Sequence, residues 1–167
     1  TTHHTVIKDF LDGAANNGVI TQSDAALLLD EEPKAGRLYG LVKNHKPIKP
    51  GNKIPDLRPV VSNSGSTTEK ISLAIDQEAN NMVPNLPSFW QDSPHAIRDL
   101  RAENSKGPQP TQCIPVTADV TALYPNIPLK EGMEKFKEAL DNPKLRPNPE
   151  LPTTFLMTLL SFVLFFN

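Results

Sequence analysis

Apolar positions along the chain fall into short blocks with two different periods. Val6, Ile7, Phe10 and Leu11 have helical spacing, and Gly13 with Asn16-Asn17-Gly18 predicts where that helix ends. Thr21 followed by Asp24 reads as a capping-box variant opening a helix through Leu27, Leu28 and Leu29, closed by Asp30-Glu31-Glu32-Pro33. The period then changes. Arg37 to Val42 and Leu57 to Val61 read as two short strands, with Pro59 removing one ladder donor and so predicting an edge or partly paired strand. The basic, proline-rich stretch 44–56 between them is long for a hairpin loop, since most such loops have about 2–5 residues. Long ordered loops commonly carry function.

Helical signals return after the strands. Ser66 with Glu69 predicts a capping box, and Ile71, Ala74, Ile75, Ala79 and Met82 give the apolar face behind it. Ser93-Pro94 predicts a cap and first-turn proline ahead of Ala96, Ile97 and Leu100. Residues 103–112 are polar and read as a connector. From Ile114 to Val120, residues Val116, Ala118 and Val120 share one face, a strand pattern that runs into Asp119. Pro128 opens a further helix with Leu129, Met133, Phe136 and Leu140 inward, and Lys130–Glu134 and Glu131–Lys135 as outward pairs. Pro147, Pro149 and Pro152 form a linker to Phe155–Phe166, the most apolar stretch, which is shorter than the ~20 residues needed to span a bilayer. A helix apolar on nearly every side is expected to be buried, so this one predicts either missing partners in sequence or self-association.

Composition changes the picture in three places. Seventeen prolines predict short elements joined by rigid loops, and the single Cys113 cannot form an internal disulfide, which suits a reducing, intracellular compartment. The start, Thr1 to Phe10, lacks the basic region and apolar run of a signal peptide. The net charge of −2 hides a strong asymmetry. In residues 1–33 Lys8 stands against six carboxylates, whereas residues 34–58 hold Lys34, Arg37, Lys43, Lys46, Lys49, Lys53 and Arg58 against Asp56 alone. Such clustering suits phosphate binding, and it also suits a solvated lysine-rich loop.

The candidate chemistry sits in two segments. An apolar strand ending in Asp119 can hold a hard oxygen ligand on a rigid element, although a lone Asp at a strand end is more often a cap or turn residue. Tyr124 alone fits core packing with its hydroxyl satisfied. A hairpin would bring Lys43 and Arg58 to one side, where a point charge and a bidentate fork suit a triphosphate; pairing with Asp56 is the competing reading. His3, His4 and His45 lack the companions of a metal site, and phosphate-loop and serine-hydrolase signatures are absent.

Three segments, in order, resemble one family. Tyr39-Gly40-Leu41-Val42-Lys43-Asn44-His45-Lys46-Pro47 resembles the Tyr-Gly-Leu-Pro-Lys-x-His-Lys signature of Penelope-like retroelement reverse transcriptases. Leu57-Arg58-Pro59-Val60-Val61-Ser62 is similar to the Leu-Arg-Pro-Ile-Val-Ser motif that follows there, and Asp119 to Pro128 resembles the Asp-Val-x-Ser-Leu-Tyr-Thr-Asn-Ile-Pro palm motif. Telomerase catalytic subunits share the broad architecture. Val42 and Pro125 depart from the family's proline and threonine, at positions that are not ligands.

The resemblance implies an α+β fold, the fingers and first half of the palm of a right-hand polymerase, with short antiparallel strands and several packed helices. It divides the chain into a helical lead-in (1–33), fingers (34–110) and a partial palm (111–167). It implies an intracellular, nuclear RNA-directed DNA polymerase acting on an RNA template, a DNA primer and deoxynucleoside triphosphates, with no membrane partner. Asp119 and the Val120 carbonyl would be ligands of two Mg²⁺ ions about 3.5–4 Å apart. Lys43 and Arg58 would hold the incoming phosphates, Tyr124 would be the steric gate against a 2′-hydroxyl, and Lys46, Lys49 and Lys53 would touch nucleic-acid backbone. No later Gln-Gly or Asp-Asp segment occurs, so the chain alone is expected to be inactive, with no tightly held metal. A second reading is a non-catalytic nucleic-acid-binding module that self-associates into a homo-oligomer through Phe155–Phe166.

Overall fold

A computed structural model describes residues 2–43, 48, 50–51, 53–107, 116–121 and 123–166; the Tyr124 side chain is outside that description. The chain is mixed helix and sheet, with α1 Thr2–Asn16, α2 Gln22–Leu28, β1 Arg37–Val42, β2 Leu57–Ser62, α3 Glu69–Met82 and α4 Ser93–Asn104. A four-residue turn of helix, α5 Leu123–Asn126, precedes α6 Leu129–Leu140 and α7 Thr153–Phe165. The expected α+β class holds at that level. Two compact units form, residues 1–77 with 154–167, and residues 78–153. They cut across the three segments drawn from the sequence, because the last helix joins the first unit and α3 runs through the boundary.

The first unit is built on α1. Gly13 lies inside that helix, and Gly18 ends it with φ +71°. The Val19 amide donates to the Ala14 carbonyl and the Gly18 amide to that of Ala15, both at 3.0 Å, which is a Schellman closure with glycine in the left-handed position. Helix α2 follows with both halves of the expected capping box: the Asp24 amide donates to Thr21 Oγ1 and the Thr21 amide to the Asp24 carboxylate. These hydrogen bonds hold the exposed Asp24 carboxyl below its ordinary value, with the Thr21 side chain the larger cause.

The α7 helix, apolar nearly all round, does find cover within its own chain. Phe155, Leu156, Leu159 and Phe162 are buried at helical spacing, alongside Ile7, Leu11 and Ala14 of α1. The Phe10 ring stacks on Phe155 at 5.5 Å and meets Phe162 edge-on at 5.3 Å. Each such buried side chain contributes about 1.5–3 kcal/mol relative to exposure, which explains why this stripe folds inward. Met157, Leu160, Val163 and Leu164 stay half-buried on the remaining sides. No described helix is long and apolar enough to cross a membrane.

Three local readings are corrected by the structure. At α3 the Ser66–Glu69 capping box does not close; the Glu69 carboxylate accepts from the Gly65 amide, while the Ser66 amide donates to the Asn63 carbonyl. At α4 the N-cap is Asp92, whose carboxylate accepts from the His95 amide at 2.7 Å, so Ser93 and Pro94 lie in the first turn. On α6, Lys135 reaches Glu138 and Lys137 reaches Asp141 in place of the pairs expected from Lys130 and Glu131. The α4 apolar positions Ile97 and Leu100 are exposed, and no residue of that helix is buried.

In the second unit, Leu140 and Met82 are buried, and among the described residues Arg146 is the one buried ionic side chain, 7 % exposed. Its guanidinium donates to the Glu78 carboxylate and to the Leu151 carbonyl, joining α3 to the proline-rich stretch before α7.

Candidate nucleotide-binding hairpin

The two strands pair antiparallel in the expected hairpin, with Leu41 opposite Arg58 and Val42 opposite Leu57. One step further on, the Lys43 amide donates to the Asp56 carbonyl at 2.9 Å. Side chains alternate across a strand, so Arg37, Tyr39, Leu41 and Lys43 share a face with Asp56, Arg58, Val60 and Ser62. Lys43 and Arg58 are therefore diagonal neighbours on one face, about 7–8 Å apart at their Cα positions in such a geometry. Their long side chains can converge on one polyanion. Asp56 lies on that face, directly opposite Lys43, and takes part in an interaction of its own. Pairing with Asp56 and phosphate binding both remain compatible with this layout.

Arg37 and Tyr39 of this face had no role assigned from the sequence and add to its chemistry. Arg37 adds a third cation, and Tyr39 an exposed ring, 44 % accessible, between Arg37 and Lys43. Counting back in twos from Lys43 would have found both. The base of the hairpin is tightened by Gly36, where an added Cβ would come within 3.0 Å of Asn63 Oδ1 and Val61 Cγ1. The Lys34 amide, which donates to the Gly65 carbonyl at 2.7 Å, closes the same end. Lys53 is exposed in a bend before β2, while Lys46 and Lys49 lie outside the described residues.

The palm-like segment is organised differently from the expectation. Residues 116–120 are exposed coil and do not form a strand; Ile114 and Pro115 lie outside the described residues. A strand requires a neighbour for its amides. Among the described residues the sheet has two strands only, and neither pairs with this segment. Asp119 and Val120 are accordingly open to solvent. The Asn126 side-chain Nδ2 donates to the Thr121 carbonyl at 3.1 Å and ties the end of this segment to α5, which carries Tyr124. Lys43 and Arg58 belong to the first unit, Asp119, Val120 and Tyr124 to the second.

A magnesium pair needs several anionic oxygens. Asp119 and the Val120 carbonyl supply one carboxylate and one carbonyl, and no cluster of three or more metal-binding side chains occurs among the described residues. These residues by themselves do not fit two magnesium ions.

Two cavities lie elsewhere. One of about 450 Å³ is lined by Leu140, Asp141, Arg146 and four prolines of the second unit. Asp141 at its rim is held below the ordinary carboxylate value, first by its Lys137 hydrogen bond and next by that of Thr153. The other, of about 260 Å³, is lined in the first unit by His3, Lys34, Asn63 and Thr67 among others. The second reaches the base of the hairpin at Gly36 and Asn63, and neither cavity is lined by a residue of β1 or β2.

No protein-family model, curated protein or solved structure matches this chain.

Proposed function

We propose that the chain is part of a reverse transcriptase of the Penelope-like kind, and that its hairpin binds the phosphates of an incoming deoxynucleoside triphosphate. The observation that carries this reading is the register that sets Lys43 and Arg58 on one face, in the two segments that resemble successive motifs of that family. Arg58 offers a planar fork for two phosphate oxygens and Lys43 a compact charge, while Arg37 raises the local positive potential. In this reading Asp119 is the first palm carboxylate and Tyr124 the steric gate, and Lys46, Lys49 and Lys53 meet template or primer backbone without reading sequence. Nucleotidyl transfer would need further carboxylates beside Asp119 to hold two Mg²⁺ ions.

The reading is tested by equilibrium binding of a fluorescent deoxynucleoside triphosphate to the parent chain and to Arg58→Ala. A charge-assisted hydrogen bond is worth about 1.5–3 kcal/mol, so the substitution is expected to weaken binding roughly ten-fold or more. Binding that is equal for the two proteins would remove Arg58 from the site and the reading with it.

A further inference from the structure

The face of the hairpin opposite Lys43 is apolar and uncovered. Leu38, Val42, Leu57 and Val61 are 70 %, 55 %, 51 % and 58 % exposed. A two-stranded hairpin is marginal in water, and a third strand or a covering layer is the usual remedy. The register shows where a third strand fits. Because Lys43 and Asp56 are a hydrogen-bonded pair, alternation makes Leu41–Arg58 and Tyr39–Val60 hydrogen-bonded pairs too. Leu38, Gly40 and Val42 then turn their amides and carbonyls away from β2. On β2 the outward residues are Leu57, Pro59 and Val61, and Pro59 has no N–H to offer. The outer edge of β2 is thus interrupted at its centre, while that of β1 is complete.

Charge selects the occupant. Arg37 and Lys43 stand at the two ends of the polar face of β1. A second copy pairing antiparallel about Gly40 would set Arg37 of one chain opposite Lys43 of the other, which like-charge repulsion disfavours. A nucleic-acid strand has no amide ladder to offer Leu38, Gly40 and Val42. We propose that the outer edge of β1, which no described strand pairs, docks an extended acidic peptide strand, with carboxylates opposite Arg37 and Lys43 and apolar residues continuing the face of Leu38 and Val42. This is strand addition, with backbone bonds giving affinity and alternate side chains giving selectivity. It rests on register, exposure and charge, and is independent of the polymerase reading.

The probe is the peptide Glu-Val-Thr-Val-Thr-Val-Glu, blocked at both ends, whose symmetry makes strand direction immaterial. Adding it to the intact chain is expected to slow hydrogen exchange at the Leu38, Gly40 and Val42 amides, with the Lys43 amide reporting throughout on the hairpin itself. Gly40→Pro removes the central outward donor and no hydrogen bond of the β1–β2 ladder; its Cβ meets the Leu57 side chain at 3.2 Å, so protection of the Lys43 amide must persist in the variant, and peptide binding should weaken about ten-fold or more. Arg37→Glu with Lys43→Glu should reject this peptide and accept Lys-Val-Thr-Val-Thr-Val-Lys. Peptide binding unchanged by Gly40→Pro, or by the charge reversal, would overturn the proposal. So would an absence of amide protection at Leu38, Gly40 and Val42, or their protection by oligothymidylate in preference to the peptide. Loss of triphosphate binding in Arg58→Ala with this peptide response intact would separate the two readings.

Discussion

Replacing Glu78 by alanine would leave the Arg146 guanidinium buried with the Leu151 carbonyl as its remaining hydrogen-bond acceptor among the described residues. Breaking one side of a buried pair costs about 3–5 kcal/mol, and the partial exposure of the Glu78 side chain, 22 %, places the expected loss near 3 kcal/mol. Arg146→Met removes the charge and keeps most of the packing, so its expected cost is smaller, about 1–2 kcal/mol. The double variant should be no less stable than Glu78→Ala alone, because the orphaned charge has gone. Trp90 is the sole tryptophan, and its indole donates to Asp99 at 3.0 Å within the same unit, so its fluorescence reports unfolding there. With a urea slope of about 2 kcal/mol per M, Glu78→Ala should lower the midpoint by about 1.5 M. A shift below roughly 0.3 M, or strictly additive losses in the double variant, would show that the pair is not coupled as described.

Other outcomes follow from single positions. Gly18→Ala meets no atom within 4 Å but must hold φ +71°, so it should cost about 1 kcal/mol in thermal unfolding from backbone strain alone; an unchanged Tm would contradict the Schellman closure. Asp24 has a folded-state pKa below its unfolded value of 3.8, so its contribution is present above that value and fades as pH falls through the folded pKa. Thr21→Ala should therefore flatten the acid limb of stability against pH, and identical limbs would refute the hydrogen bonds as the cause. Pro59→Val restores a donor that points away from β1, so hairpin stability should change by less than about 0.5 kcal/mol while association through the β2 edge rises. A clear gain in stability of the monomer would show the alternation to be wrong.

The hairpin was legible because its signals are local: short runs rich in leucine, valine and tyrosine on either side of a proline-rich loop give β1 to the residue and β2 to within one. Thr21 with Asp24, and Gly18 after an amphipathic run, were legible for the same reason. Non-local effects were not. Val116 to Val120 carries a strand pattern, yet a strand exists only with a neighbour to bond its amides, and the described residues supply none. Asp92 won the α4 cap over Ser93 because its carboxylate lies one residue earlier, in reach of the His95 amide. Glu78 and Arg146 are 68 residues apart, and neither carries a sequence signal for burial. The apolar tail was read correctly as needing cover, but the rings that cover it lie at the other end of the chain. Of the candidate site, the hairpin half was readable down to the face shared by Lys43 and Arg58, whereas Arg37 and Tyr39 were overlooked although the same alternation places them there.

The most direct test of the central claim is a map of backbone and side-chain resonances as deoxynucleoside triphosphate is added. The account predicts shifts at Arg37, Tyr39, Lys43 and Arg58, on one face of the hairpin, with Leu38, Val42, Leu57 and Val61 on the other face left nearly still. Shifts confined to the apolar face or to the cavity beside Arg146, or none at saturating nucleotide, would contradict it.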